Sequence, residues 1–327
     1  MRRRTLVGGV ALAAGAAGVL AAGRAVRRWK AGEGVGLSLA DGEDRVVVST
    51  DGAQLEVRVA GPADAERTFV LAHGWTNDRR VWGAVSQRLV DDGHRVVTWN
   101  QRGHGGSTVG GKGHTVEALG DDVGAVLQDI DAHDVVLAGH SMGGMASMAF
   151  LTEHPDQRHR VGAVALVSTT AGGLTRGAVA NRIAAQVIAH PALDRAMQSG
   201  QVGPFLVRNT VGRTVALSHL DAMRELFVAT SPDVRAGFLN AMTAMDLTDG
   251  IRALDVPTLV LVGSRDRLTP VALSRRLAAT IAGARLEVLE GFGHMLPLEA
   301  PDAVADRLLS LPVLGVLEVE ATAGVPR

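Results

Sequence analysis

Short apolar runs that alternate with longer helix-like segments are the feature of this chain that most restricts its fold. Residues 68–72 and 161–167 are continuous apolar runs, the pattern of strands buried on both faces. Helix-like segments separate such runs, and this alternation implies a mainly parallel sheet covered by helices on both faces. The sequence therefore predicts a doubly wound α/β fold with strands at residues 45–49, 55–60, 68–72, 95–99, 135–138, 161–167, 258–262 and 286–289.

The alternation is interrupted between residues 170 and 254. This stretch contains helical segments, such as 179–190 and 222–230, but no strand-like run. We interpret it as a helical lid inserted above the edge of the sheet. The α/β core is then expected at residues 45–169 and 255–311, with an apolar signal or anchor segment at 1–30, a linker at 31–44 and a C-terminal tail at 312–327.

A glycine-rich motif joins one predicted strand to the helix after it. It reads Gly139-His140-Ser141-Met142-Gly143-Gly144 and follows the apolar run at 135–138. A Gly-x-Ser-x-Gly sequence on a strand-to-helix turn exposes the serine hydroxyl, and the small residues Gly139 and Gly143 leave room for the turn. The motif predicts that Ser141 is a nucleophile. The alternative is a glycine-rich loop with an incidental serine.

A serine nucleophile needs a base and an acid that orients the base. In a parallel sheet, functional groups gather at the carboxyl ends of the strands. Asp266 follows the strand at 258–262 and His294 follows the strand at 286–289, which gives the chain order Ser, Asp, His. Taken alone, Asp266 could be a helix cap and His294 a solvated loop residue. Asp246 and Asp249 are the alternative acids.

A tetrahedral intermediate also needs two N–H donors for its oxyanion. One is expected from Met142, the residue after the nucleophile, and the other from the loop that follows the strand at 68–72. That loop begins His73-Gly74-Trp75, and we assign the second donor to Trp75, with His73 and Gly74 as supporting residues. The alternative is that His73 and Gly74 form only a turn.

These motifs together resemble the α/β-hydrolase family over about residues 45–311. The resemblance rests on 73–75, 99–107, 139–144 and Gly291-Phe292-Gly293-His294 with Glu299 and Pro301 beyond it. It implies an α/β-hydrolase fold, a Ser-His-Asp triad and a lid domain. Asn100 stands where relatives often carry aspartate, so the hydrogen bonds around it should differ. Haloalkane dehalogenases and epoxide hydrolases of this family use an aspartate nucleophile, and Ser141 argues against both activities.

Composition excludes several other classes of protein. The formal net charge of −1 and the lack of a basic stripe give no sign of a nucleic-acid partner. The chain has no cysteine, so disulfides, zinc ribbons and thiol nucleophiles are excluded. Residues 106–112 match the start of a phosphate-binding loop, but Gly113 replaces the Ser or Thr that would bind magnesium. We therefore expect no cofactor and no metal, and interpret this loop as a flexible rim.

The N-terminus has the pattern of an export signal or a single membrane anchor. Arg2-Arg3-Arg4 precedes an uncharged run at 6–23, and four basic residues follow within 24–30. The arginines before Thr5 loosely resemble a twin-arginine signal. We expect a membrane-associated or exported protein, with association through residues 5–23. A cytoplasmic protein with a frayed leader helix is the alternative.

The sequence predicts a serine hydrolase that forms an acyl-enzyme and acts on an uncharged, moderately apolar small-molecule ester or related acyl substrate. The alternatives are a cofactor-free haloperoxidase-like perhydrolase, a carbon–carbon bond hydrolase, and a non-catalytic ligand-binding protein on the same fold. Methionines concentrate near the site and the lid, where flexible thioethers could line an adaptable pocket or simply fill the core. No motif indicates the acyl group or the oligomeric state.

Overall fold

A mixed sheet of eight strands organises the fold. The computed structural model describes residues 37–174, 177–212 and 217–312. The sheet order is β1-β2-β4-β3-β5-β6-β7-β8; β1 and β4 pair antiparallel with β2, and the remaining pairs are parallel. The strands are β1 Gly42–Val48, β2 Gln54–Ala60, β3 Thr68–Ala72, β4 Arg95–Trp99, β5 Val135–His140, β6 Val161–Val167, β7 Thr258–Gly263 and β8 Arg285–Leu289. The predicted α/β sheet is therefore confirmed.

The first strand starts earlier than expected, inside the segment interpreted as a linker. Residues 42–44 read Gly-Glu-Asp and carry no apolar signal, yet Gly42 pairs with Ala60 across the edge of the sheet. A side chain at Gly42 would collide with the carbonyl of Val59, so this pairing suits glycine. Asp44 accepts a salt bridge of 2.6 Å from Arg58 on β2. Backbone pairing and the ion pairs of Asp44 with Arg58 and Arg79 define this end of the strand, and neither is visible in a hydropathy pattern.

Helices cover both faces of the sheet, and consecutive strand residues point to opposite faces. The covering helices are α1 Gly83–Asp91, α2 Val116–Asp129, α3 Met142–Glu153, α9 Val271–Thr280 and α11 Pro301–Leu309, with a short α10 at Leu296–Glu299. Phe69 and Leu71 belong to the core that contains α1 and α11, whereas Val70 and Ala72 belong to the core that contains α2, α3 and α9.

A block of helices separates β6 from β7. Its elements are α4 Ala178–Ala189, α5 Pro191–Gln198, α6 Gly203–Val207, α7 Leu217–Ala229 and α8 Pro232–Ala244. The described residues of this stretch contain no strand. The chain enters the block from the carboxyl end of β6, at the edge of the sheet that carries the site described below, and returns from it to the amino end of β7.

The predicted N-terminal segment at 1–30 and nearly all of the predicted tail at 312–327 lie outside the described residues. Within the described ranges, every helix is too short or too polar to cross a membrane.

Candidate active site

Ser141 sits on a sharp turn between β5 and α3. Its backbone angles, φ 53° and ψ −115°, lie in a region that L-residues rarely adopt and that costs on the order of 1–3 kcal/mol. Two hydrogen bonds hold this conformation. The N–H of Ser141 donates to the carbonyl of Val167 at 2.9 Å, and Thr169 Oγ1 donates to the carbonyl of Ser141 at 2.7 Å. Sequence reasoning missed Thr169, which follows β6 and shows no motif.

Two glycines make the turn possible. A Cβ at Gly139 would overlap the carbonyl of Gly143, and a Cβ at Gly143 would overlap the carbonyl of Ala72 on β3. The backbone of the turn thus packs directly against its neighbours. The motif serves both to bend the chain and to let α3 approach the strand, so that the N-terminus of α3 lies at the site.

Asp266 and His294 are in direct contact. His294 Nδ1 lies 2.8 Å from Asp266 Oδ2. The carboxylate of Asp266, only 5% exposed, also accepts from the N–H groups of Leu268 and Thr269 and from Thr269 Oγ1, at 2.8–2.9 Å. Burial by itself raises the pKa of Asp266, but the charge of His294 and these hydrogen bonds outweigh burial and lower that pKa. Asp266 is therefore an anion that fixes the proton of His294 on Nδ1.

The alternative acids are elsewhere. Asp246 accepts a hydrogen bond from the N–H of Thr248 at 3.0 Å, and Asp249 pairs with Arg252 at 3.5 Å. The structure thus brings Asp266 to His294, while Ser141 and His294 line the same cavity.

The loop that carries His294 is held from three sides. The N–H of His294 donates to the carbonyl of Thr210 at 2.8 Å, and the carbonyl of His294 accepts from His140 Nε2 at 2.9 Å. Glu299 accepts from the N–H groups of Gly293 and Met295, each at 3.0 Å, and from that of Gly212 at 2.6 Å. Burial raises the pKa of Glu299 even though these three donors favour its anion. One carboxylate thus connects both neighbours of His294 to the helical block.

The loop after β3 is built around buried histidines. His73 Nδ1 donates to the carbonyl of Gly74 at 2.8 Å, and its Nε2 accepts from the N–H of Gln101 at 2.9 Å. His104 Nε2 accepts from the N–H of Thr76 at 3.2 Å. Burial lowers the pKa of His73 to about 4 and that of His104 to about 3, so both rings are neutral acceptors of backbone N–H groups. The structural role of His104 was not evident from the sequence.

Trp75 lies on the loop after β3, and Met142 directly follows Ser141 at the start of α3. Trp75 lines the cavity, and its indole Nε1 donates to the carbonyl of Arg235 in α8 at 3.1 Å. Met142 is the first residue of α3, where a helix leaves its N–H groups without intrahelical partners. The loop after β3 approaches closely, because a Cβ at Gly74 would lie 2.9 Å from His140 Nδ1.

Comparison with known proteins shows the family of this chain. The family model described as serine aminopeptidase, S33 matches residues 63–301. The chain is an α/β-hydrolase. It is 29% identical to a non-heme haloperoxidase from Rhodococcus erythropolis, covering 81% of this chain and 97% of the relative. It is 26% identical to a bifunctional esterase/perhydrolase from Acinetobacter calcoaceticus, covering 81% and 98%. An esterase from Exiguobacterium antarcticum shares the fold, with a TM-score of 0.72, 22% identity and coverage of 82% and 98%.

In this α/β-hydrolase, Asn100 has hydrogen-bond partners of its own. Asn100 Nδ2 donates to Glu56 Oε2 at 2.7 Å, and Asn100 Oδ1 accepts from the N–H of Arg79 at 2.9 Å. The next basic residue, Arg102, is fully buried between Asp51 and Asp122, at 2.8 and 2.7 Å. These contacts anchor the loop after β4 to β2, to α2 and to Asp51.

Several polar groups of the loop that resembles a phosphate-binding sequence form hydrogen bonds within the protein. Asp51 Oδ2 accepts from the N–H of Lys112 at 2.7 Å, and Lys112 Nζ donates to Asp121 at 2.6 Å. Ser107 and Thr108 bond to the backbone of β2. These hydrogen bonds attach the loop to β2, Asp51 and Asp121, and none of residues 106–113 lines the cavity.

The cavity of about 540 Å³ lies between the sheet and the helical block. Its described lining includes no Lys, Arg, Asp or Glu side chain. Of the methionines noted in the sequence, Met142 and Met148 are buried in the core beside the sheet. The ones that line the cavity are Met145, Met197, Met223, Met242 and Met295. Within the described ranges, His, Asp and Glu residues form no group suited to a metal ion.

Proposed function

We propose that this α/β-hydrolase cleaves uncharged, apolar carboxylic esters or related acyl compounds through an acyl-enzyme on Ser141. The observation that carries the proposal is the Asp266–His294 pair, whose ring lines the same cavity as the strained serine. Strained backbone clusters at functional sites because only a packed surrounding can maintain it. A serine held in this way, on the same cavity as an oriented imidazole, is equipped for nucleophilic attack.

The proposed reaction has two stages. Ser141 Oγ bonds to the substrate carbonyl carbon while His294 Nε2 takes the hydroxyl proton. The tetrahedral intermediate then collapses, and the alcohol leaves with that proton. In the second stage water loses a proton to His294 and attacks the acyl-enzyme, which releases the acid and restores Ser141. Asp266 stays ionised and stabilises the imidazolium that forms in each stage.

The N–H groups of Trp75 and Met142 are proposed to bind the oxyanion. Support comes from Trp75, which lines the same cavity as Ser141, and from Met142, which follows Ser141 at the N-terminus of α3. A helix N-terminus favours negative charge. His73 and Gly74 maintain the shape of the loop, and Gly139 and Gly143 maintain the turn.

The helical block is proposed to act as the lid that shapes the substrate site. Residues of α4 to α8 supply much of the apolar lining, including Ile188, Met197, Met223 and Leu239. Because the described lining carries no cationic side chain, a substrate with a free carboxylate would lose its hydration without gaining a partner. The site therefore favours neutral acyl groups.

An ester series tests the proposal. We expect p-nitrophenyl esters to be hydrolysed, with a neutral pentanoate preferred over the similarly sized hemisuccinate by at least about tenfold in kcat/KM. Ser141→Ala should lower turnover by on the order of 10⁴ to 10⁶. Ser310→Ala, at an exposed serine, is the control. Near-normal hydrolysis by Ser141→Ala would contradict the assignment.

A second candidate, perhydrolysis, is favoured by the similarity to the haloperoxidase and to the esterase/perhydrolase. Hydrogen peroxide would replace water in the second stage, so the acyl group leaves Ser141 as a peracid. Measuring peracetic acid formed from acetate and peroxide, beside ester hydrolysis by the same preparation, decides between the two. Peracid formation far exceeding ester hydrolysis would make perhydrolysis the main activity.

A further inference from the structure

An exposed apolar surface lies on the helical block. On α4, Val179, Ile183 and Val187 are 74, 55 and 57% exposed. Because they follow one another at intervals of four residues, they form one stripe along the helix. Phe205 and Leu206 on α6, and Leu268 after β7, are also exposed apolar side chains. We call these six residues the apolar patch.

The apolar patch is continuous with the cavity. Val187, Leu206 and Leu268 line the cavity and are also exposed at the surface, so they mark the place where the cavity opens. An apolar molecule could therefore pass from the patch to Ser141 without crossing a charged surface. Exposed apolar patches beside a ligand cavity are typical of surfaces that bind a partner or a membrane.

The charges on the part of the helical block that carries most of the patch are mainly positive. Residues 177–212 contain Arg182, Arg195 and Arg208 but only one carboxylate, Asp194. That carboxylate is already paired with the buried Arg235 at 2.7 Å. Arg182 and Arg195 are exposed. An apolar stripe flanked by arginines on one helical surface has the composition of a segment that lies in a membrane interface.

We propose that the apolar patch docks on the surface of an anionic lipid bilayer, with α4 lying in the plane of the interface. The valine and isoleucine side chains enter the boundary of the acyl chains, and the arginines contact lipid phosphates. A molecule dissolved in the bilayer then reaches the cavity opening directly. Docking itself does not depend on the proposed chemistry, so binding can be tested even if Ser141 is not a nucleophile.

The charge pattern favours a bilayer over a second copy of this chain. A two-fold interface places the same patch on both partners, so the arginines of one copy would approach those of the other. Like charges opposed across an interface oppose association, whereas anionic headgroups neutralise them.

Vesicle binding by the full-length protein tests docking. The variant Val179→Ser/Ile183→Ser removes two side chains that do not line the cavity. Its control is Val46→Ser/Val48→Ser, two residues of edge strand β1 that are similarly exposed, at 59 and 63%. With vesicles of phosphatidylglycerol and phosphatidylcholine, we expect the first variant to bind at least about tenfold more weakly than the control. Hydrolysis of a short soluble ester should be equal in both.

A single-site probe separates the patch from any binding through the N-terminal residues, which are the same in every variant. The chain has no cysteine, so Ile183→Cys and Val48→Cys each carry one environment-sensitive dye. We expect the dye at residue 183, but not at residue 48, to shift to the blue when anionic vesicles are added. Pure phosphatidylcholine vesicles should give a smaller shift.

Three results would overturn the proposal. The first is equal vesicle binding by the patch variant and the β1 control. The second is emission at residue 183 that is unchanged by vesicles. The third is emission from residue 183 that is already blue without vesicles. If that blue emission depends on protein concentration, a second copy of the chain covers the patch. If it does not, a segment of the same chain covers the patch.

Discussion

The side-chain amide of Asn100 donates a 2.7 Å hydrogen bond from Nδ2 to Oε2 of Glu56, a residue of the neighbouring strand β2. Asn100 is buried, and the same oxygen of Glu56 accepts from the N–H of Gly106 at 2.8 Å. An aspartate at residue 100 would place a second carboxylate against Glu56. Asparagine here is therefore matched to the glutamate of this chain.

Replacing Asn100→Asp should destabilise the protein by about 1–3 kcal/mol, because two partly buried carboxylates would face each other and a donor would be lost. Chemical denaturation at neutral pH measures the loss. The double variant Glu56→Gln/Asn100→Asp restores one donor and one acceptor, so it should recover part of the stability. If the double variant were less stable than Asn100→Asp, the pairing would not be the cause.

Removing the charge of Asp266 should affect turnover far more than removing that of another acid near β7. We expect Asp266→Asn to lower kcat by on the order of 10³ to 10⁴, because an amide can hold His294 in the wrong tautomer. Asp246→Asn is the matched control. Asp246 was the alternative acid, and its carboxylate accepts a hydrogen bond from the N–H of Thr248. Steady-state kinetics on one ester compares the two, and a larger loss in Asp246→Asn would reverse the assignment.

Glu299 is expected to act by positioning His294. Glu299→Gln leaves a single carbonyl oxygen for three backbone donors, so the loop 293–295 should shift. We expect kcat to fall about ten- to a hundredfold with little change in KM, since misplacement of a catalytic group slows the reaction itself. Glu290→Gln, on the exposed start of the same loop, should behave like the unchanged protein. A rise in KM alone would indicate a role in substrate binding instead.

The buried histidines should make the fold sensitive to acid. The pKa of His73 is lowered to about 4, and those of His104 and His140 to about 3. The unfolded chain takes up their protons near pH 6.5 and the folded chain does not, so their contribution to stability is present above about pH 6.5. It is lost as the pH falls toward 4, at about 1.4 kcal/mol per pH unit for each ring.

Denaturant unfolding between pH 7.5 and 5 checks this sign. His104→Gln keeps one donor and one acceptor for Arg102 and Thr76 but cannot be protonated. Its stability should fall less steeply with pH than that of the unchanged protein. His133→Gln, at an exposed histidine, is the control. Equal slopes for all three proteins would mean that His104 is not a neutral buried group.

The sequence was most informative where chemistry is local. The turn at Ser141 needs small residues within a few positions, because the backbone of the turn contacts its own flanking segments. Asp266 and His294 could be chosen because each follows a strand, and parallel strands bring their carboxyl ends to one edge. The beginning of β1 could not be predicted, since residues 42–44 are polar and gain their structure only by pairing with β2.

By itself, the sequence determined the α/β architecture, the serine on its turn and the chain order of its prospective partners, because periodicity and short-range geometry are written in neighbouring residues. Only the tertiary structure decided which buried side chains hold the loops that carry these residues. Glu299 reaches Gly212 across 87 positions of chain, and Asn100 finds Glu56 across 44. A hydrogen bond between such distant residues depends on how helices and strands pack, and the apolar cavity exists only where the helical block meets the sheet.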